Sequence, residues 1–403
     1  MSGRFSVAIT GMSCICGPGN TLGECMNTLF GERKDPAPPA RFTSTHNVTY
    51  PVFEVADDLM SLEPRGIKDI TRTARLALYA AYEAINNAGL DPASESLRGK
   101  RVGVCLGTTV GTAMNNERFY RQYLKGEKPD MVHITRLLHS NPAAVVAREF
   151  DLCGPCQTVV NACSSGTDAV GLGASWIQSG LCDIVFAGGT DELCHVTYNG
   201  FISMMITDSL PCKPFDRDRK GLNLGEGAAM LILESETSRR VRNKKARAFV
   251  LGYGDACDAY HFTAPHPEGR GLRRAIGEVM SLGNVTPSDI AFVNAHGTGT
   301  ADNDRIESLV LADMLPGVPF LSTKGYTGHT LGAAGAIEAV FTVACLEIGK
   351  IPKSAGFVTP DPDLPVTPVN AEIAIKGQVA LSESLAFGGH NGVLAFAINR
   401  SLS

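Results

Sequence analysis

Three residues in this chain fall where sharp turns would expose them, and their types suit acyl transfer through a thioester. Cys163 lies in Val159-Val160-Asn161-Ala162-Cys163-Ser164-Ser165-Gly166, where a β-branched run meets a segment rich in small residues. That junction predicts a thiol at a helix N-terminus, where unpaired N–H groups and the helix dipole favour thiolate over thiol. His296 lies in Asn294-Ala295-His296-Gly297-Thr298-Gly299-Thr300, and His329 closes Ser322-Thr323-Lys324-Gly325-Tyr326-Thr327-Gly328-His329. Gly and Thr around each histidine allow close backbone approach and offer hydroxyls to a ligand, unlike the setting of a packed core histidine. A nucleophilic thiol with two imidazoles is a set for covalent acyl chemistry.

Other motifs point to less. Cys153-Gly154-Pro155-Cys156 has redox spacing, but it precedes the strand Thr158–Ala162 instead of following a strand and opening a helix. No second Cys or His pair has zinc-site spacing. Gly107–Gly111 and Gly225–Gly227 match neither a dinucleotide nor a P-loop fingerprint. The expectation is no metal and no nucleotide cofactor.

Elements must position the three residues. Buried-type strands are predicted at Ser6–Thr10, Arg101–Leu106, Thr158–Ala162, Asp183–Ala187, Ala228–Leu233, Ala248–Leu251, Ile290–Asn294, Pro319–Leu321 and Gly392–Ile398. Helical patterns between them include Thr71–Ala88, Ala169–Gln178, Gly271–Ser281 and Ala333–Ile348. This alternation reads as α/β with sheets covered on both faces. The chain also repeats itself. Strand Thr158–Ala162 leads to Cys163 and a helix with Gly166, Gly171 and Gly173; strand Pro319–Leu321 leads to His329 and a helix with Gly332 and Gly335. Both helices are too small-sided for surface amphipaths and should lie buried between sheets. The expected organisation is two similar halves, 1–245 with the cysteine and 246–403 with the histidines, joined near Arg239–Ala246 and meeting at the site.

Composition sets the outer bounds. The chain has 403 residues, a net charge of −5, 44% hydrophobic and 19% charged residues. It has no basic footprint for nucleic acid. No apolar run approaches the ~20 residues that cross a bilayer. Of the twelve cysteines, several lie in apolar runs such as those around Cys105 and Cys345. They read as buried reduced thiols, hence a cytoplasmic protein.

In order along the chain, Asn161–Gly166, Pro214–Arg219, Gly225–Ala228, Asn294–Thr300, Ser322–Gly335 and Phe387–Gly392 resemble motifs of the β-ketoacyl-acyl carrier protein synthases. These are the decarboxylating condensing enzymes of the thiolase fold. The resemblance implies a duplicated five-layer αβαβα fold with the site at the seam. Two histidines match the elongating branch, whereas the initiating branch carries Asn at the second. Cys163 would hold the acyl group as a thioester, with its own N–H and that of Phe387 as oxyanion hole. His296 and His329 would bind the malonyl thioester and stabilise the enolate left by loss of carbon dioxide. Lys324, paired with Glu338, would orient the His329 turn. Thr298 and Thr300 would hold the phosphopantetheine arm, which arrives on the carrier protein, so no bound cofactor is implied. Phe387 and Gly388 would form the gate to an acyl pocket lined by Val110.

Ala386 departs from the glycine usual before the gating Phe, which predicts a stiffer or rerouted gate. Arg65, Lys68, Arg72 and Arg75, with Lys213, form candidate docking sites for acidic carrier protein. The resemblance implies pairing as a homodimer, or as a heterodimer with a sister subunit lacking the active Cys. Ala386 and the fairly short chain favour the ketosynthase of a type II polyketide-like pathway. Fatty-acid elongation is the second reading, and a non-catalytic pairing subunit is the reading from a different class.

Overall fold

Apolar, β-branched runs build the strands that carry the site. The structure, a computed structural model, describes residues 6–56, 69–91, 97, 99–111 and 116–399. The first half supplies β1 (Val7–Cys16), β2 (Val102–Gly107), β3 (Cys156–Val159), β4 (Ile184–Asp191) and β5 (Gly227–Glu234). The second supplies β6 (Ala248–Cys257), β7 (Ile290–Asn294), β8 (Phe320–Leu321), β9 (Lys350–Ile351), β10 (Ile373–Ala374), β11 (Val379–Ala386) and β12 (His390–Ala397). β9 and β10 form a separate ribbon; the other strands join in the order β3-β2-β4-β5-β1-β6-β12-β11-β7-β8.

That order contains the same pattern twice. β1 meets β6 antiparallel at the centre. Moving outward on either side come the fifth, fourth, second and third sheet strands of that half. Strand directions repeat as well. β4 is parallel to β2 and antiparallel to β5, just as β11 is parallel to β7 and antiparallel to β12.

The helices Ser165–Gln178 and Ala334–Ile348 pack on one another and touch strands of both halves. Outside them, Arg72–Ala88 covers β1, β4 and β5, and Arg270–Gly283 covers β6 and β12. The result is five layers, αβαβα. The middle helices touch because they lack side chains where they cross. A Cβ on Gly166 would meet the Ala336 nitrogen at 2.8 Å, and one on Gly335 would meet Thr167 Oγ1 at 2.0 Å. This middle layer also explains Leu331–Ile348, which is long and apolar enough to cross a membrane but is 89% buried within the protein. All twelve cysteines are free thiols.

β11 is absent from the sequence expectations. Its segment, Val379-Ala380-Leu381-Ser382-Glu383-Ser384-Leu385-Ala386, is broken by three polar residues. All three are fully buried, so the polarity that hides the strand lies inside the protein.

Candidate active site

The approach to Cys163 is strained and firmly held. Ala162 has φ of +48°, in the left-handed region that a side chain disfavours. Its carbonyl accepts from Thr109 Oγ1 at 2.9 Å, Ser165 Oγ at 2.7 Å and Ser165 N–H at 3.2 Å. Asp168, in the first turn of the following helix, accepts from Asn161 Nδ2 at 2.8 Å and Ser164 Oγ at 2.9 Å. Tyr253 Oη, from β6 in the other half, donates to Asp168 at 2.8 Å. These bonds hold Cys163 at the helix start, buried.

The second half supplies both histidines. His329 Nδ1 accepts from Leu331 N–H at 3.3 Å, which puts the ring proton on Nε2. That Nε2 lies 3.0 Å from Cys163 Sγ. His296 Nδ1 lies 3.2 Å from Lys324 Nζ, an obligatory donor, so its proton is also on Nε2. The two rings stand edge to face, 5.4 Å apart. Glu307 accepts from His296 N–H at 2.5 Å and Gly297 N–H at 2.8 Å. Lys324 donates to Glu338 and, at 2.6 Å, to the His296 carbonyl. The Lys324–Glu338 pair is thus present as expected, but it grips His296; the His329 backbone N–H donates instead to Asn223 O at 2.7 Å.

The electrostatics differ from the expected thiolate. Burial pushes the Cys163 thiol up to about 11, partly offset by the Lys324 charge and the Phe387 N–H. Desolvation outweighs the helix start in the resting site. Both histidines fall well below their ordinary value, through burial and then the Lys324 charge. They are neutral N–H donors near pH 7. Two such donors beside a thiol can polarise a thioester carbonyl and hold negative charge that develops on its oxygen.

A cavity of about 550 Å³ reaches Cys163, His296 and His329, and its walls include Thr298, Thr300 and Phe387. Thr298 and Thr300 hydroxyls bond each other at 2.8 Å. Phe387 stacks on Phe201 at 5.9 Å, and the Phe201 and His329 rings stand edge to face at 6.4 Å. Phe201 was missed from sequence. Ala386 is not strained: it closes β11 opposite His390 and has no positive φ. The left-handed turn falls to Gly388 and Gly389, at φ of 87° and 82°. Among the described residues, neither Val110 nor Gly388 lines the cavity. Val110 lies in a loop tied to buried Asp191, which accepts from Thr109 N–H at 2.7 Å and Gly332 N–H at 2.6 Å. Asp191 thereby joins the Val110 loop to the His329 turn.

The structure describes only part of the basic cluster expected to dock the carrier. Arg65 and Lys68 lie outside the described residues. Arg72 turns inward, bonding buried Glu226 at 2.8 Å and Val55 O at 2.6 Å. Arg75 and Lys213 are half-buried.

Comparisons with known proteins agree with this architecture. Residues 4–239 match the model for the beta-ketoacyl synthase N-terminal domain, and 247–358 match that for its C-terminal domain. The chain is 34% identical to "3-oxoacyl-[acyl-carrier-protein] synthase 2" of Synechocystis sp. (strain ATCC 27184 / PCC 6803 / Kazusa), over 97% of each chain. It superposes on "The ishigamide ketosynthase/chain length factor" with a TM-score of 0.91 and 31% identity, covering 98% of this chain and 99% of the other. The type II polyketide synthase complex AntDE:AntF gives a TM-score of 0.88 at 26% identity, covering 98% and 99%. With two family models spanning most of its length and a duplicated fold that brings a thiol and two histidines together, the chain belongs to the beta-ketoacyl synthase family and is a condensing acyltransferase.

Proposed function

We propose that this chain is the catalytic ketosynthase of a type II polyketide-like pathway, working in the cytoplasm. It would extend an acyl group held on Cys163 with malonyl-carrier protein. The observation that carries the chemical reading is Cys163 Sγ 3.0 Å from a proton-bearing His329 Nε2, with His296 beside it.

In the first step Cys163 sulfur attacks the thioester carbonyl of acyl-carrier protein. The oxyanion is held by the N–H groups of Cys163 and Phe387, the bond to the carrier sulfur breaks, and the proton given up by the Cys163 thiol passes to that sulfur, which leaves as the thiol. Malonyl-carrier protein then sets its thioester oxygen between the two Nε2–H donors. The bond to its carboxylate breaks, carbon dioxide leaves, and the electron pair becomes an enolate at that oxygen. The enolate carbon attacks the acyl carbonyl, Cys163 sulfur departs, and a 3-ketoacyl-carrier protein results. Thr298 and Thr300 would hold the phosphopantetheine arm that the carrier protein brings. Lys220, exposed on the cavity rim, and Lys213 suit the approach of an acidic carrier.

The likeness to the ishigamide ketosynthase/chain length factor supports the polyketide assignment and a sister subunit. Pairing is also supported by the exposed β3 edge and by apolar side chains left in solvent: Val160 is 67% exposed, Tyr123 64% and Leu138 73%. The second reading, fatty-acid elongation, is favoured by the 34% identity to a 3-oxoacyl-carrier protein synthase. The intact nucleophile argues against a non-catalytic pairing subunit. The test is to incubate the chain, alone and with a candidate sister subunit, with acyl- and malonyl-carrier proteins and no reductase. Products growing by successive unreduced malonyl units support the polyketide role; a single two-carbon extension overturns it in favour of elongation.

A further inference from the structure

Glu383 occupies the middle of β11, fully buried, and among the described residues neither of its carboxyl oxygens has a hydrogen-bond donor. An ionised carboxylate cannot be kept in such a place. The group facing it is another carboxyl, Glu307. Glu307 is equally buried but well supplied with donors: His296 N–H at 2.5 Å, Gly297 N–H at 2.8 Å and Asn303 Nδ2 at 3.1 Å.

Two carboxylates offer only acceptors, so this contact is repulsive unless one is protonated. A protonated carboxyl has one O–H to donate. Burial lifts the Glu307 carboxyl as well, to about 7, but the donors around it favour its charge over that of Glu383, which has none among the described residues and so takes the proton first. Burial and the neighbouring Glu307 raise the Glu383 carboxyl well above the ordinary range.

The register explains why this matters for the site. β11 runs parallel to β7 with Ser382 opposite Asn294, so Glu383 lies beside the chain as it enters the His296 turn. Across β12 it faces Val393, which is apolar. The other charges acting on the pair are Asp304, one turn earlier on Glu307's helix, and Lys324, which bonds Glu338.

We propose that Glu383 is a positioning residue: as a neutral acid it donates to Glu307, and Glu307 in turn holds the His296 turn in its working geometry. This rests on the role given to His296 above. As pH rises and Glu383 ionises, two buried anions repel one another, Glu307 is pushed from the His296 and Gly297 N–H groups, and condensation fails.

The test has an arm that needs no turnover. Infrared titration of wild type should show a protonated-carboxyl band at pH 7 that is missing in Glu383→Gln. Absence of any such difference overturns the proposal. In steady state, Glu383→Leu, which cannot donate, should lower kcat about tenfold with little change in KM. Glu383→Gln, which keeps a donor, should recover most of that and lose the alkaline fall in kcat. A Gln variant with the wild-type alkaline profile overturns the positioning role even if the band is found. If the variants fail to fold, alkaline titration of the wild-type band together with kcat decides: the two must fall at the same pH. Failure of wild type to form acyl-Cys163 would overturn the reading of the site and leave the infrared result standing on its own.

Discussion

The two histidines reach the same state by different routes. His296 is fixed from behind by a buried ammonium, Lys324, and by Glu307 at its backbone. His329 is fixed by neutral backbone groups, Leu331 N–H and Asn223 O, and faces the sulfur directly. Both become neutral Nε2–H donors. The charged clamp makes the His296 turn depend on a network that cannot lose one member, whereas the His329 turn depends on packing between the halves.

Breaking the charged clamp should have the largest effect. Lys324→Met leaves Glu338 buried without its cation and should cost about 3–5 kcal/mol of stability, measured by chemical unfolding, and should abolish condensation. Replacing the histidines sharpens the comparison. His296→Ala should let acyl-Cys163 form but not clear, with kcat down about 10²–10³-fold. His329→Ala should slow both half-reactions, because its ring also touches the sulfur; stopped-flow acylation rates separate the two. Equal acylation rates in both variants would contradict the assignment.

The packing side is tested by Gly335→Ala. Its Cβ would meet Thr167 Oγ1 at 2.0 Å, an overpacking that should cost about 1–3 kcal/mol in thermal or chemical unfolding.

pH should give the smallest and most graded effect. Both histidines have depressed folded values, so the unfolded chain binds more protons below the ordinary histidine range. The histidines' share of stability should hold above roughly pH 6.5 and fall as pH drops, by up to about 1.4 kcal/mol per histidine per pH unit, while the raised carboxyls of Glu307, Glu338 and Glu383 act with the opposite sign. Unfolding free energies of wild type and His329→Ala at pH 7.5 and 5.5 isolate that share: the difference between the two proteins should shift against wild type at the lower pH.

The reacting side chains were legible because turn chemistry is local: the runs around Cys163, His296 and His329 carry their own glycines and hydroxyls. The alternation of elements and the internal repeat were legible for the same reason. What escaped was long-range. Asp191 matters because it joins Thr109 to Gly332, and Tyr253 because it crosses from the second half to Asp168; neither has a local signature. Glu383 hid an entire strand, since three consecutive polar residues look unlike a buried strand until their partners are known. Arg72 seemed a surface charge because its partner, Glu226, lies far along the chain. The ionisation of Cys163 was misjudged because the helix start is visible in sequence and the depth of burial is not. Ala386 leaves the gate backbone unstrained because the positive φ falls two and three residues later, on Gly388 and Gly389.

The most direct test of the account is intact-mass analysis of wild type, Cys163→Ala and His296→Ala, each mixed with acyl-carrier protein and then with malonyl-carrier protein. The account predicts acyl mass on wild type and His296→Ala but none on Cys163→Ala, and clearance by malonyl-carrier protein in wild type alone. Acylation of Cys163→Ala, or clearance in His296→Ala at the wild-type rate, would contradict it.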